Sequence, residues 1–300
     1  MIALFSALEP LRVANRFGGE LFNWRFVSLD GAAVAASNGI PVSVTSALGS
    51  IGRPDLAVVC ASYEPEAGMV RTLFNELRRL ARNGTLLAGL DTGAFLLAEA
   101  GVLDGYRATC HWETLPAFRE SYPGIDVADD TYVIDRGRLT ASGGAAPLDM
   151  MIDWLGAIET EELALRVADT LVHTRHINHP GEARMPGGSR YQIEDDRVVA
   201  AVSLMERHIE GPLSMDEMAA RTRLSGRQLE RLFWRELRAS PLAFYRRVRL
   251  ERAEQLLAYS RLTIREVGLA CGFSSLALFS RSFKAKYGRT PSSIRRSSRQ

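Results

Sequence analysis

Residues 85–103 read TLLAGLDTGAFLLAEAGVL, and their pattern decides the architecture of the first half of the chain. The run 85–90 is apolar without alternation, as suits a strand buried on both faces of a parallel sheet. Residues 94–100 follow at once with helical character. Between them Gly89-Leu90-Asp91-Thr92-Gly93 makes a G-x-D-x-G turn from strand to helix. In hydrolases a turn of this kind presents a nucleophile above the sheet, beside backbone N–H donors at a helix N-terminus. Here an acid, Asp91, occupies the nucleophile's place.

Working outward, residues 25–29 and 55–60 read as strands, and 66–82 shows helical spacing through Val70, Leu73, Phe74, Leu77 and Leu80. Strands alternating with helices indicate a parallel α/β sheet flanked by helices. Runs 132–134 and 139–141, separated by the turn at Arg136 and Gly137, predict a hairpin on its edge. Two helices close the domain, over 145–158 and 161–174, the second with Thr160 as N-cap and two glutamates in its first turn. Residues 178–195, NHPGEARMPGGSRYQIED, carry two prolines and three glycines and read as a linker. The expected domains are therefore 1–177 and 196–300.

The 300 residues carry a net charge of only +2, but residues 196–300 hold +11 and the rest −9. The basic third points to a polyanionic partner, which the acidic part would repel. Ordinary hydrophobic and charged fractions of 46% and 24% exclude disorder and collagen. No apolar run approaches the roughly 18 to 20 residues of a membrane span, and the N-terminus has no basic leader, so a cytoplasmic protein is expected. Three cysteines, Cys60, Cys110 and Cys271, without a CxxC pair suggest neither a disulfide framework nor a zinc site.

The basic third is helical and repeats. Residues 217–233, EMAARTRLSGRQLERLF, and 266–283, EVGLACGFSSLALFSRSF, share Glu, apolar, Ser, Arg and Phe positions in order, and each is followed by a Ser-Pro or Thr-Pro exit. A short helix, a tight turn and a second amphipathic helix make a helix-turn-helix, whose second helix enters the major groove. Those helices begin near Ser225 and Ser275. Arg227, Glu230 and Arg231 share one face, and Ala277, Ser280 and Arg281 the matching one. Arginine suits guanine, glutamate suits cytosine, and Ala277 with Leu276 suits a thymine methyl; a solvated polar face is the alternative. Residues 241–260 fit one helix of roughly 27 Å, a spacer for grooves about 34 Å apart. Its Arg246, Arg247, Arg249 and Arg252 would contact phosphates or be solvated.

Residues 197–297, above all IREVGLACGFSSLALFSRSFKAKYGRTPSSIR, resemble the AraC/XylS family of bacterial transcription regulators. The resemblance implies an all-α domain with two helix-turn-helix units, sequence-specific binding to double-stranded promoter DNA, and contact with RNA polymerase. It places the base-reading positions on Arg227, Glu230, Arg231, Leu276, Ala277, Ser280 and Arg281. The first half, through DTGAFLLAEAGVLDGYRATCHWE (91–113), TASGGAAPLDMMIDWL (140–155) and Glu9-Pro10-Leu11-Arg12, resembles the class I glutamine amidotransferase-like superfamily, in the GlxA-like branch fused to such DNA-binding domains. Enzymes of the superfamily carry cysteine where Asp91 stands, so the departure implies a domain retained for binding. The family opens with a complete strand ahead of the helix containing Glu9, and here only eight residues precede Glu9.

The His111-Trp112-Glu113 sequence and Asp91 resemble regulators of glycine betaine, carnitine and arginine catabolism, which implies a small cationic or zwitterionic effector and an activator. Asp91 and Glu9 would offset its positive charge, Trp112 would cover a quaternary ammonium, His111 would line the site, and Thr92 with Gly93 would hold a carboxylate. Core packing of Trp112 and a structural His111 are the alternatives. A competing class is a hydrolase or amidotransferase-like enzyme using Asp91 or Cys110, tethered to nucleic acid; adjacent Cys110 and His111 point to opposite sides of an extended segment, which makes Cys110 an apolar filler. A third is an architectural DNA binder whose first domain dimerises. His173, His176 and His179 read as a solvated helix end rather than metal ligands. No cofactor or metal is expected, and a homodimer is left open.

Overall fold

Three parallel strands carry the first unit. The structure, a computed structural model, describes residues 1–62, 69–173, 191, 193–260 and 262–297, and the chain divides into two units, Met1–Arg184 and Met185–Gln300. The first unit contains α1 (Ile2–Gly18), the two-residue strands β1 (Val27–Ser28), β2 (Val34–Ala35), β3 (Pro41–Val42) and β4 (Ser46–Ala47), then β5 (Leu56–Ala61) and α2 (Arg71–Arg82). It continues with β6 (Leu86–Asp91), α3 (Gly93–Glu99), β7 (Arg107–Ala108), α4 (Leu115–Ser121) and β8 (Asp126–Val127). The hairpin β9 (Tyr132–Asp135) and β10 (Arg138–Ala141) and the helices α5 (Ala146–Ile158) and α6 (Glu161–Thr170) complete it.

The main sheet has the order β5-β6-β10-β9. β5, β6 and β10 are parallel, with Val58, Ala88 and Leu139 in register, and β9 returns antiparallel at the edge. Alternation in β6 sends Leu87 to one face, against α2, α3 and α4, and Ala88 and Leu90 to the other, against α1 and α5. This double coverage is why β6 contains no polar residue before Asp91. The hairpin, the buried β6 strand and the Thr160 cap, whose hydroxyl accepts from Leu163 N at 3.2 Å, are as the sequence predicts. The strand expected at 25–29 shrinks to Val27–Ser28, and the helix expected from 161 ends at Thr170. Part of the 66–82 helix, residues 66–68, lies outside the described residues, and α2 begins at Arg71.

The second unit is helical: α7 (Asp196–Arg207), α8 (Met215–Thr222), α9 (Gly226–Leu237), α10 (Pro241–Tyr259), α11 (Ile264–Ala270), α12 (Leu276–Tyr287) and α13 (Pro291–Ser297). The internal repeat has a physical basis. Glu217 and Glu266 are the third residues of capping boxes opened by Ser214 and Thr263. The turns then pass through Arg223 at φ 55° and Gly272 at φ 69°, both left-handed. At Gly272 a Cβ would meet Ile209 O and Pro212 Cγ at 2.6 Å, so this turn requires glycine. Phe233 and Phe244 fill the first core, and Phe279 and Phe283 the second, all essentially inaccessible; each is worth about 1.5–3 kcal/mol of burial.

Most of the linker expected at 178–195 lies outside the described residues. Of its end, Ile193 is buried among Val198, Val202 and Phe244, and the Tyr191 ring stands 5.0 Å from that of Phe244. Among the described residues no helix is long and apolar enough to cross a membrane.

Candidate effector site and nucleic-acid interface

The carboxyl ends of parallel strands are where α/β sheets place ligands, and here Ser62 after β5, Asp91 ending β6 and Gly143 after β10 occupy those ends. Asp91 sits at φ 60°, a left-handed conformation that aspartate tolerates better than most residues. Both flanking glycines are obligatory for steric reasons. A Cβ on Gly93 would lie 2.2 Å from Val59 O, and one on Gly89 2.9 Å from Ala94 N. Gly143, at φ 97°, packs on the acid itself: its Cβ would stand 3.2 Å from Asp91 Cβ and Cγ.

Burial raises the Asp91 pKa above the ordinary carboxyl value, against the opposing pull of nearby His111, the Ser62 hydroxyl and the Thr92 backbone. Among the described residues Asp91 has no ion-pair partner. Beside it the Thr92 hydroxyl is buried without a hydrogen-bond partner. His111 is half-buried, with Nδ1 3.8 Å from Glu113 Oε2, and the Trp112 ring lies 5.6 Å from the His111 ring, tilted by 35°. The fold thus gathers Asp91, Thr92, Gly93 and His111, with Trp112 next to them. Glu9 is otherwise engaged: Arg12, one turn on, donates to it from Nε and Nη2, the shorter bond 2.6 Å.

Cys110 is fully buried, with Sγ 3.5 Å from Thr114 Oγ1, and burial pushes its thiol well above the ordinary value. A thiol so placed supplies no thiolate near neutral pH. One expectation is corrected here. His173 is not a solvated helix end: it is largely buried, and Asp149 Oδ1 accepts from its Nε2 at 2.8 Å. Its acidic partner comes from α5, 24 residues away, a pairing invisible to local reading. His176 and His179 lie outside the described residues. Among the described residues no group of three or more His, Cys, Asp or Glu is placed to hold a metal ion.

In the second unit Ser225 and Ser275 cap α9 and α12, accepting from Gln228 N and Leu278 N. Leu229, Leu232 and Phe233 face the core, which leaves Arg227, Glu230 and Arg231 exposed. In α12 Phe279 and Phe283 face the core, Leu276, Ala277 and Arg281 are exposed and Ser280 is half-buried. Among the described residues Arg227, Glu230, Arg231 and Arg281 make no ion pair or hydrogen bond with the rest of the chain. Other arginines do: Arg197 and Arg235 both bond Asp195 at 2.7 and 2.8 Å.

Arg249 departs from the expected phosphate contact. It is half-buried and donates to Cys271 O and Gly272 O at 2.8 and 2.6 Å, tying α10 to the second turn. Burial accordingly lowers its pKa. Arg247 lies over the Phe244 ring at 4.6 Å, whereas Arg246 stays exposed. Sequence reading also missed Trp234. It is 60% exposed and stands one turn beyond Glu230 and Arg231 on their face. Its i+7 spacing from Arg227 was the available signal.

Comparison with known proteins agrees with this geometry. A "Helix-turn-helix domain" family model matches residues 218–297, and the "DJ-1/PfpI family" model matches residues 4–157. The chain is 42% identical over 295 residues to the HTH-type transcriptional regulator CdhR of Pseudomonas aeruginosa, covering 98% of this chain and 88% of that one. It is 37% identical over 301 residues to the HTH-type transcriptional regulator GlxA of Rhizobium meliloti, covering 99% and 93%. A crystal structure of an AraC family transcriptional regulator from Pseudomonas putida matches with a TM-score of 0.52 at 28% identity, over 57% of this chain and 92% of that chain. This chain therefore belongs to the HTH-type transcriptional regulators that join a DJ-1/PfpI domain to an AraC-type helix-turn-helix domain.

Proposed function

We propose that the chain is an effector-responsive activator, in which a non-catalytic sensor domain of residues 1–177 acts through a linker, 178–195, on a DNA-reading domain of residues 196–300. It acts in the cytoplasm, where promoter DNA and RNA polymerase are its partners. The observation that carries the sensor reading is Asp91: a carboxyl raised by burial, with no ion-pair partner among the described residues. A bound cation would relieve that penalty directly. The favoured effector is therefore a small cationic or zwitterionic metabolite, with His111 and Trp112 beside the carboxyl and the Trp112 face available for cation–π contact. The occupied Glu9 is the weakest member of the expected set. Catalysis is disfavoured because Asp91 stands in the nucleophile's place and Cys110 is a buried thiol.

Effector and DNA must be coupled through a state that both prefer. Calorimetric titration of the full chain with glycine betaine, carnitine, dimethylglycine and arginine tests the sensor. A saturable heat with one of them, lost in Asp91→Asn, is expected; saturation unaffected by that substitution would move the site elsewhere. For DNA, Arg231→Ala should weaken promoter binding about 5- to 150-fold, the range for one good base contact, and Arg281→Ala should weaken it too. Unchanged affinity in both would refute the placement of the reading helices.

A further inference from the structure

We infer that the two reading helices require chemically unlike boxes within one asymmetric operator: G·C pairs under α9 and thymines under α12. The inference rests on the reading above that both helices enter major grooves. Counted from the caps Ser225 and Ser275, the second, fifth, sixth and ninth positions carry Arg227, Glu230, Arg231 and Trp234 in the first helix, and Ala277, Ser280, Arg281 and Lys284 in the second. Only the arginine at the sixth position is common to both.

The first turns differ most, and they are the part of a recognition helix that reaches base edges. In α9 that turn is polar. Gly226 adds no side chain, and Gln228 is committed to the capping box with Ser225 N at 2.9 Å, which leaves Arg227, Glu230 and Arg231 to read. An arginine fork fits guanine O6 and N7, and a glutamate accepts from cytosine N4. Glu230 also discriminates by repulsion, since a carboxylate facing only acceptors is destabilised.

In α12 the first turn is apolar and open. Leu276 is 49% exposed and Leu278 43%, with Ala277 exposed between them. The apolar feature of a major-groove edge is the thymine methyl. Covering this strip with methyl groups removes apolar surface from water on both partners, whereas a guanine or cytosine edge placed there loses its hydrogen bonds to water without replacement. The arginine of this face, Arg281, lines an open groove of about 520 Å³ together with Arg246, while Lys286 beside them is paired to Glu251 at 3.0 Å. That cationic setting suits a phosphate. The second unit is thereby anchored through the backbone and reads by methyl contact, and the first reads by hydrogen bonding.

The test is in vitro selection of random duplex DNA by the full chain, followed by base-analogue substitution in the selected site. Two unequal boxes are expected, about one helical turn apart, one fixed in G·C pairs and the other in thymines. Replacing thymine by deoxyuridine in the second box removes only the methyl. It should weaken binding about fourfold per contact, the factor for exposing one buried methyl-sized group, and the same replacement in the first box should be neutral. Arg227→Ala should relax base preference in the G·C box alone. Two boxes of like composition, or a deoxyuridine site bound as tightly as the thymine site, would overturn the inference and leave the DNA-reading function intact. Failure to select any sequence would overturn both.

Discussion

His173 closes on Asp149 across α5 and α6, with Nε2 2.8 Å from Oδ1 and both side chains largely buried. The contact fastens the last described residue of the first unit to the first turn of α5. It is made at a backbone cost. Val172, just before it, is 93% exposed and sits at φ 51°, a conformation that a β-branched residue adopts only under constraint. The loop that leads into α5 begins at Gly143, which packs on Asp91. A short run of chain, residues 143–149, thus connects the candidate effector site to the last described residue of the first unit.

His173→Ala should destabilise the first unit by about 2 kcal/mol, the usual contribution of a hydrogen bond to a carboxylate. Val172→Gly should stabilise it by about 1 kcal/mol through relief of the left-handed strain. Urea unfolding of the full chain, followed through its first-unit transition, reads both. A His173→Ala midpoint equal to the parent's would show that the contact carries no net energy.

Asp91 gives a pH dependence of unusual sign for a carboxyl. Its pKa is raised on folding, so the folded state binds the proton more tightly than the unfolded state. The associated stability is full below the ordinary value of 3.8 and is lost as pH rises through the raised value. Above the raised value the folded chain carries a partly buried charge. Asp91→Asn, which keeps the tolerance for φ 60°, should therefore raise the urea midpoint at neutral relative to acidic pH and flatten the acidic limb of the stability profile. A difference between Asp91→Asn and the parent that does not change with pH would contradict this.

Asp195 behaves in the opposite sense. Its carboxylate caps α7, accepting from Arg197 N at 3.0 Å, and accepts from the Arg197 and Arg235 side chains. These bonds, the Arg197 side chain first, hold it well below the ordinary value. The stability it contributes is present above 3.8 and lost as pH falls through the depressed value. Asp195→Ala should destabilise the second unit by about 1 kcal/mol at neutral pH, chiefly through the lost cap, because both arginines are more than half exposed and such pairs contribute little. Thermal unfolding at neutral and acidic pH, with the difference shrinking on acidification, is the check.

Trp234 should matter to DNA and not to the fold. At 60% exposure its replacement by alanine should leave the unfolding midpoint within about 0.5 kcal/mol of the parent. Fluorescence anisotropy with promoter DNA should show weaker binding, by about tenfold, as expected for an aromatic contact at an interface. Full affinity in Trp234→Ala would remove it from the reading face.

The reading of individual residues shows where local information suffices. Ser225, Ser275 and Thr160 act as caps, and Asp91 lies at a strand-to-helix turn, because caps and turns involve residues within four positions of one another. The recognition faces were equally legible, since 3.6-residue periodicity separates Leu229, Leu232 and Phe233 from Arg227, Glu230 and Arg231. Trp234 falls on the same exposed face by the same rule.

By itself the sequence determined the α/β and helical halves, the turn at Asp91, the two helix-turn-helix units and the division of charge between the units, for all of these follow from composition, periodicity and neighbouring residues. Only the tertiary structure decided that Asp149 meets His173, that Arg12 engages Glu9 instead of leaving it for a ligand, that Arg249 is spent on the carbonyls of Cys271 and Gly272, and that Gly143 rests on Asp91. In each case the deciding quantity is which of several chemically adequate partners a side chain reaches. That depends on strand order and helix packing across the fold, and periodicity along the chain does not encode it.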